Sequence, residues 1–438
     1  MKRILWFRRD LRVEDNPLLS LEGEVFPIFI FDKNILQHLE KNDKRISFIY
    51  KYVHSLKEKL QSIGLDLKIF YGTPLEVFRS LHIEDFDEVV ASGDYDSYAK
   101  QRDIEVSHLL HFRYINDVYL FEPNEILKKD GSPYLVFTPY YKKAIAKLKS
   151  QDIETFKRVK QKLYNSDYHC DITLALMGFE EEQVSVAPID KKIKKLKMNL
   201  KDYKIKRDFF NSDVTSDLSV ELRFGLLSIK ELYKEMQVQN DSEAFIRQLI
   251  FRDFYAYLLF HFPYIETNNY KYKFKGIEDE EKYKRLCTAQ TGVPVIDAGV
   301  TQLLKTGKMH NRIRMVVASF FTKDLLLPWQ WGEKFFAKYL LDYDAASNIL
   351  SWQWSAGTGV DPQPYFRIFN PYLQSKKFDK DGTYIKKYLP LLKNINSKYL
   401  HDEEYLFNNT LEDYPKPMVK HKIAAKIALD KFKNKDIS

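Results

Sequence analysis

The 438-residue sequence has only two cysteines, Cys170 and Cys287. That is too few for a disulfide framework, a multi-cysteine zinc site or a four-thiolate iron–sulfur cluster, and no metal site is expected. No apolar run is long enough to cross a bilayer. The opening Met1-Lys2-Arg3-Ile4-Leu5-Trp6-Phe7-Arg8-Arg9 has no signal-peptide core. A cytoplasmic protein is the expectation. No glycine-rich G-x-G-x-x-G follows the first apolar run, and no lysine-tipped phosphate loop occurs anywhere, so the sequence carries no dinucleotide fingerprint.

What the chain does have is a 45% hydrophobic fraction, ample for a sizeable core, and a formal net charge of +8. Its aromatic content is high, with 31 Phe, 29 Tyr and 5 Trp. The Phe and Tyr are spread along the chain and suit core filling. Four tryptophans, Trp329, Trp331, Trp352 and Trp354, fall in one short stretch instead. In a basic protein such clustering also suits a stacking surface or an electron path.

The first third alternates strand and helix signals. Arg3 to Phe7, Glu24 to Phe31, Leu67 to Tyr71 and Glu88 to Ser92 read as strands, and apolar residues at helical spacing (Ile46, Ile49, Val53, Leu56, Leu60) mark an amphipathic helix. This alternation predicts an α/β, Rossmann-like parallel-sheet domain over residues 1–128. Residues 129–202 are polar and lysine-rich, with Asp190-Lys191-Lys192-Ile193-Lys194-Lys195 as an example, and read as a solvated linker. Helical periodicity dominates afterwards, so residues 203–438 read as an all-α domain.

Two segments carry chemistry. Thr215-Ser216-Asp217-Leu218-Ser219 precedes an apolar helix, where hydroxyls and unpaired N–H groups form an anion site or, more simply, an N-cap. In the second, Asn311, Arg314 and Met315 share one helical face. Asp342 and Asp344 are followed by small residues and Asn348, with Trp352-Gln353-Trp354 one turn further on. An arginine and an aspartate beside a flat ring tune its charge, and an asparagine hydrogen-bonds a ring nitrogen in either protonation state. The residues alone stop at a redox or binding site.

Trp6-Phe7-Arg8-Arg9-Asp10-Leu11-Arg12, Lys308-Met309-His310-Asn311-Arg312-Ile313-Arg314-Met315 and Trp352-Gln353-Trp354-Ser355-Ala356-Gly357-Thr358-Gly359, continuing to Pro364-Tyr365-Phe366-Arg367-Ile368-Phe369-Asn370-Pro371, resemble the DNA photolyase and cryptochrome family. The resemblance extends over nearly the whole chain and is greatest to class I cyclobutane pyrimidine dimer photolyases. It implies an N-terminal antenna domain, a C-terminal FAD-binding domain, and electron transfer from excited reduced FAD to a dimer flipped out of DNA. It also implies roles for individual residues. Tyr203, Thr215, Ser216, Asp217, Leu218 and Ser219 would hold the FAD phosphates. Asn311, Arg314, Asp342 and Asp344, with Gln248 and Arg252, would line the cofactor, and Asn348 would face the flavin N5. Trp354, Met315, Phe251 and Gln248 would meet the lesion. Arg312 and Arg367, with Lys376 and Lys377, would meet backbone phosphates. Trp352 and Trp329 would form the inner electron relay.

Several positions depart from the family pattern. Gln248 stands where dimer-specific enzymes carry glutamate, and Phe251 where they carry tryptophan. The histidines of (6-4) photolyases are replaced by Asn311 and Met315. The outermost relay position, near Phe274 to Gly276, holds no tryptophan, leaving Tyr270, Tyr272 or Trp331 as exits, or a truncated relay with poor photoreduction. Tyr98 and Ala99 occupy the places of an Asn-Glu pair, which argues against a methenyl-folate antenna and leaves the second chromophore open. Dimer repair leads, with a cryptochrome-type blue-light receptor or a (6-4) photolyase as alternatives. The tail, closing at Lys431-Phe432-Lys433-Asn434-Lys435-Asp436-Ile437-Ser438, is shorter than those receptors often bear. A monomer with DNA as its partner, no obligate protein partner and no membrane is expected.

Overall fold

Strand β1 (Lys2–Phe7) is apolar on both sides, and its Ile4, Leu5, Trp6 and Phe7 are all buried. Beside it lie β2 (Glu24–Asp32), β3 (Lys68–Gly72), β4 (Glu88–Ser92) and β5 (Phe112–Ile115), hydrogen-bonded in the order β3-β2-β1-β4-β5 with every pairing parallel. A two-residue strand, β6 (Lys162–Leu163), adds to β2. Near-continuous Val, Ile and Phe runs are what a sheet covered on both faces requires. The computed structural model describes residues 1–168 and 171–433, so Cys170 and residues 434–438 of the tail lie outside the described residues.

The chain divides into two compact units. The first, Met1–Leu200 with Ser216–Pro263, contains the sheet. The helix expected from the 46/49/53/56/60 spacing is present as Lys44–Ser62, with Ile46, Val53, Leu56 and Leu60 buried. The strand order reverses between β1 and β4, where open α/β sheets place ligands beyond the carboxyl ends. There Arg8 pairs with Asp103 through two hydrogen bonds of 3.0 and 2.7 Å, and burial pushes the Asp10 carboxyl up to about 7. The Tyr98 hydroxyl donates to Asp32 at the end of β2.

Residues 129–202 are not a solvated linker throughout. They hold the helix Phe137–Ser150 and most of the helix Ile189–Lys206. Lys192, inside the lysine run, is buried and donates 2.6 Å bonds to Glu221 and to the Asp217 carbonyl. A charged run with one inward face cannot be told from a solvated one by composition.

The second unit, Lys201–Thr215 with Tyr264–Ser438, is helical wherever it is regular, apart from one isolated bridge between Leu411 and Tyr414. Four helices matter for the site: Pro294–Thr306, Asn311–Ser319, Trp329–Tyr339 and Ala345–Ala356. A π-turn, Phe320–Asp324, follows the second of these. Gly357, at φ +87°, ends the fourth in the left-handed conformation that glycine adopts without strain.

Candidate active site

In the second unit the helix Asn311–Ser319 starts at His310, whose ring Nδ1 accepts from the Arg312 amide at 3.2 Å. Burial lowers the His310 imidazole to about 4, so this cap stays neutral. From this start Asn311 and Met315 lie one turn apart, the Asn311 amide nitrogen 3.7 Å from the Met315 sulfur. Arg314 sends Nη2 to both oxygens of Asp342, at 3.0 and 2.8 Å, and Nε to the Met309 carbonyl at 2.8 Å. Asp344 caps the helix Ala345–Ala356 by accepting from the Ser347 amide at 3.0 Å.

Asn348, one turn into that helix, is buried. Its amide nitrogen donates at 3.0 Å to both the backbone carbonyl and the side-chain Oε1 of Glu333. Both amide protons are thereby committed, and Oδ1 is left as the uncommitted acceptor. Burial raises the Glu333 carboxyl pKa, opposed by its bonds from Asn348 and Tyr343. Glu333 was not expected from the sequence, since a lone glutamate in an amphipathic helix carries no local signal.

The tryptophans separate. Trp352 is buried between Phe321 and Phe336, edge-to-face at 5.2 and 4.9 Å, and its indole N–H has no partner among the described residues. Trp354 is half-buried two residues on. Trp329 donates its indole N–H to Asn269 at 2.7 Å, and Asn269 in turn donates to the Phe274 carbonyl. Trp331 packs edge-to-face on Tyr283 at 5.3 Å, and Tyr283 reaches Phe321 at 6.2 Å. Of the other exit candidates, Tyr270 stacks on Tyr264 and Tyr272 is exposed.

Of the other expected residues in this unit, Arg312 pairs through Nη2 with Asp208 at 2.5 Å, and its guanidinium lies over Phe378. Arg367, Lys376 and Lys377 are exposed. Tyr203 is buried, which raises the pKa of its hydroxyl, and Thr215 is half-buried.

In the first unit, the run Ser216 to Ser219 does not cap a helix with a hydroxyl. The helix Ser219–Arg223 is five residues long, its cap position is Leu218, and no side chain bonds there. Ser216 Oγ accepts from the Leu218 amide at 3.4 Å instead, and Asp217 takes a left-handed φ of +52°. Gln248, Phe251 and Arg252 lie on the helix Glu243–His261. Phe251 packs on Phe137 at 4.3 Å, Gln248 is half-buried, and Arg252 donates to the carbonyls of Val118 and Leu222.

The donor set of Arg314, Asp342 and the Asn348 oxygen fits the rim of a flavin, which offers both acceptors and N–H donors. Comparisons agree. Residues 3–160 match the DNA photolyase family model, and residues 245–434 match that for the FAD binding domain of DNA photolyase. The deoxyribodipyrimidine photo-lyase of Alkalihalophilus pseudofirmus is 35% identical over 99% of this chain and 98% of its own length. A bacterial class III photolyase from Agrobacterium tumefaciens superposes with a TM-score of 0.86 at 30% identity, covering 100% of this chain and 98% of that one. An archaeal photolyase from Sulfolobus tokodaii, solved with two FAD molecules, gives 0.87 at 29% identity over 99% and 100%. With matches in order along both halves and a relative similar from end to end, this chain belongs to the DNA photolyase family and carries its FAD-binding domain.

Proposed function

We propose that this chain is a light-driven lyase that repairs cyclobutane pyrimidine dimers in DNA. One observation carries the reading. The Arg314–Asp342 pair and Asn348, whose orientation is fixed by Glu333, offer a planar cofactor a cation, an anion and one acceptor. When bound in fully reduced form, FAD supplies one electron on illumination; both cyclobutane bonds break and the electron returns, with no net redox change.

The rest of the task falls to the protein. Asn348 Oδ1 accepts from a ring N–H, and Arg314 and Asp342 balance charge beside the ring. Asn311, Asp344, Gln248 and Arg252 complete the cofactor lining, and Tyr203 with Thr215 to Ser219 holds the phosphates. Trp354 stacks on the extruded dimer, and lesion contacts are further assigned to Met315 and, on the first unit, to Phe251 and Gln248. Arg367 meets a backbone phosphate, and Arg312 does so on release from Asp208. Trp352 and Trp329 are the inner relay that restores reduced cofactor. In this reading residues 1–128 are the antenna domain and 203–438 the catalytic one. The chain acts as a monomer in the cytoplasm.

The test is illumination of reduced, purified protein with dimer-containing oligothymidine, following absorbance near the thymine band. Recovery supports the reading. Recovery only with a (6-4) substrate moves the activity to that lesion, a possibility that Gln248 raises. Recovery with neither leaves the blue-light receptor.

A further inference from the structure

Lys323 is fully buried, yet among the described residues no carboxylate is within ion-pair reach of it. Its ammonium donates instead to two backbone carbonyls, Arg367 at 3.1 Å and Tyr365 at 3.4 Å. Burying an ammonium is costly, and desolvation, opposed by the nearby Asp324 charge, lowers Lys323 to about 8. A side chain kept in such a place has a task in holding those carbonyls.

The carbonyls belong to a tight turn, closed by the Arg367 amide donating to the Pro364 carbonyl at 2.9 Å. This turn lies in the irregular stretch 358–370, between the helix that carries Trp354 and the helix Pro371–Phe378. Phe366 and Arg367 at its tip are exposed. Several further ties come from the buried side. Ser319 Oγ accepts from the Phe369 amide at 3.2 Å, Gln363 donates to the Ser355 carbonyl, and Tyr365 stacks on Phe432. The π-turn Phe320–Asp324 makes the Lys323 tie possible. Its wider winding turns two consecutive charged residues inward, Lys323 to the 364–367 turn and Asp324 to His421.

The geometry points to Lys323 as a positioning residue that fixes the 364–367 turn and so presents Arg367 to the DNA backbone. This rests on the reading of Arg367 as a phosphate contact, and the experiment separates the two. Affinity of the flavin-loaded protein for dimer-containing oligothymidine is measured against salt for wild type, R367A, K323M and the double variant. Flavin absorbance and melting temperature report folding.

Loss of one phosphate contact on a single strand lowers the log–log salt slope by about 0.7. R367A is expected to show that drop, K323M to share it, and the double variant to bind no more weakly than R367A. An unchanged R367A overturns the phosphate reading. With R367A weakened, a K323M protein of wild-type affinity and slope, or a loss that adds in full to that of R367A, overturns the role of Lys323. Should K323M fail to fold, Lys323→Gln, which keeps an N–H donor at shorter reach, is read by the same criteria.

Discussion

Gly332 sits in the helix Trp329–Tyr339, against the six-membered ring of Trp352. A Cβ added there would come within 3.0 Å of Cη2, Cζ3 and Cζ2 of that ring, with even the farthest of the three at 2.8 Å. Carbon atoms settle about 3.5–4.0 Å apart, so Trp352 or the helix must shift by at least about 0.7 Å. Trp352 has little room to yield, since Phe321 and Phe336 hold it edge-to-face at 5.2 and 4.9 Å. In an open helix, Gly→Ala would stabilise by about 1 kcal/mol. Overpacking a tight core costs roughly 1–3 kcal/mol, and an overlap with three ring atoms belongs at the upper end. Gly332→Ala should therefore destabilise by about 2 kcal/mol, a fall in melting temperature of roughly 4–8 °C for a unit of this size.

The assay is thermal unfolding of G332A, W352F and the double variant. Phenylalanine removes the ring edge that meets the added methyl group, so the double variant should be more stable than the sum of the single losses predicts. Trp352→Phe should also slow flavin photoreduction while sparing repair by protein reduced beforehand. A G332A protein more stable than wild type, or strictly additive losses, would refute the packing argument.

Two further perturbations follow from the same structure. Burial raises the Asp253 carboxyl to about 7, so its contribution to stability is complete below pH 4 and lost as pH rises through about 7. Asp253→Asn should flatten the stability profile between pH 5 and 8 and gain on wild type above pH 7, by at most about 4 kcal/mol; parallel melting profiles would count against it. Trp354→Ala should weaken binding of dimer-containing oligothymidine by about 1–3 kcal/mol, the cost of a lost base–aromatic stack, with flavin content unchanged. An affinity equal to wild type would remove Trp354 from the lesion site.

Strands β1 to β4 were legible because they are apolar runs, and Lys44–Ser62 because its burial repeats at helical spacing, whereas β5, only partly buried, and the two-residue β6 carry too weak a pattern. Two local groups of the expected site were legible, Asn311 with Arg314 and Met315 from spacing within one helix, and Asp342 to Asn348 from their place at the start of another, while the Arg314–Asp342 pair spans 28 residues. Partners distant in sequence were not. Nothing local links Arg312 to Asp208, Arg252 to Val118, or Asn348 to Glu333, yet each pairing decides what the side chain can still bind. The N-cap reading of Thr215 to Ser219 failed differently. Its hydroxyls suit a cap, but the chain turns at Asp217 through a left-handed φ and places Leu218 at the cap position.

The charges that the fold buries share a geometry that composition conceals. Asp253 accepts from the amides of Leu120 and Phe121, Asp297 from those of Thr291 and Gly292, and Asp379 from those of Tyr384 and Ile385. Lys192 donates to the Asp217 carbonyl, and Lys323 to those of Tyr365 and Arg367. In each case an ionisable side chain satisfies main-chain groups of a loop or helix end, which have no ladder to satisfy them. A charge-assisted bond is about twice as strong as a neutral one, and this offsets part of the desolvation cost. Exchange for an apolar residue would then orphan one or two main-chain groups as well as removing the ionisable group. In sequence these residues look like ordinary surface charges, because the segment that each one holds can lie more than a hundred positions away, as with Asp253. Loops that carry function need fixed backbones without regular structure, and buried charge is how this chain fixes several of its irregular segments.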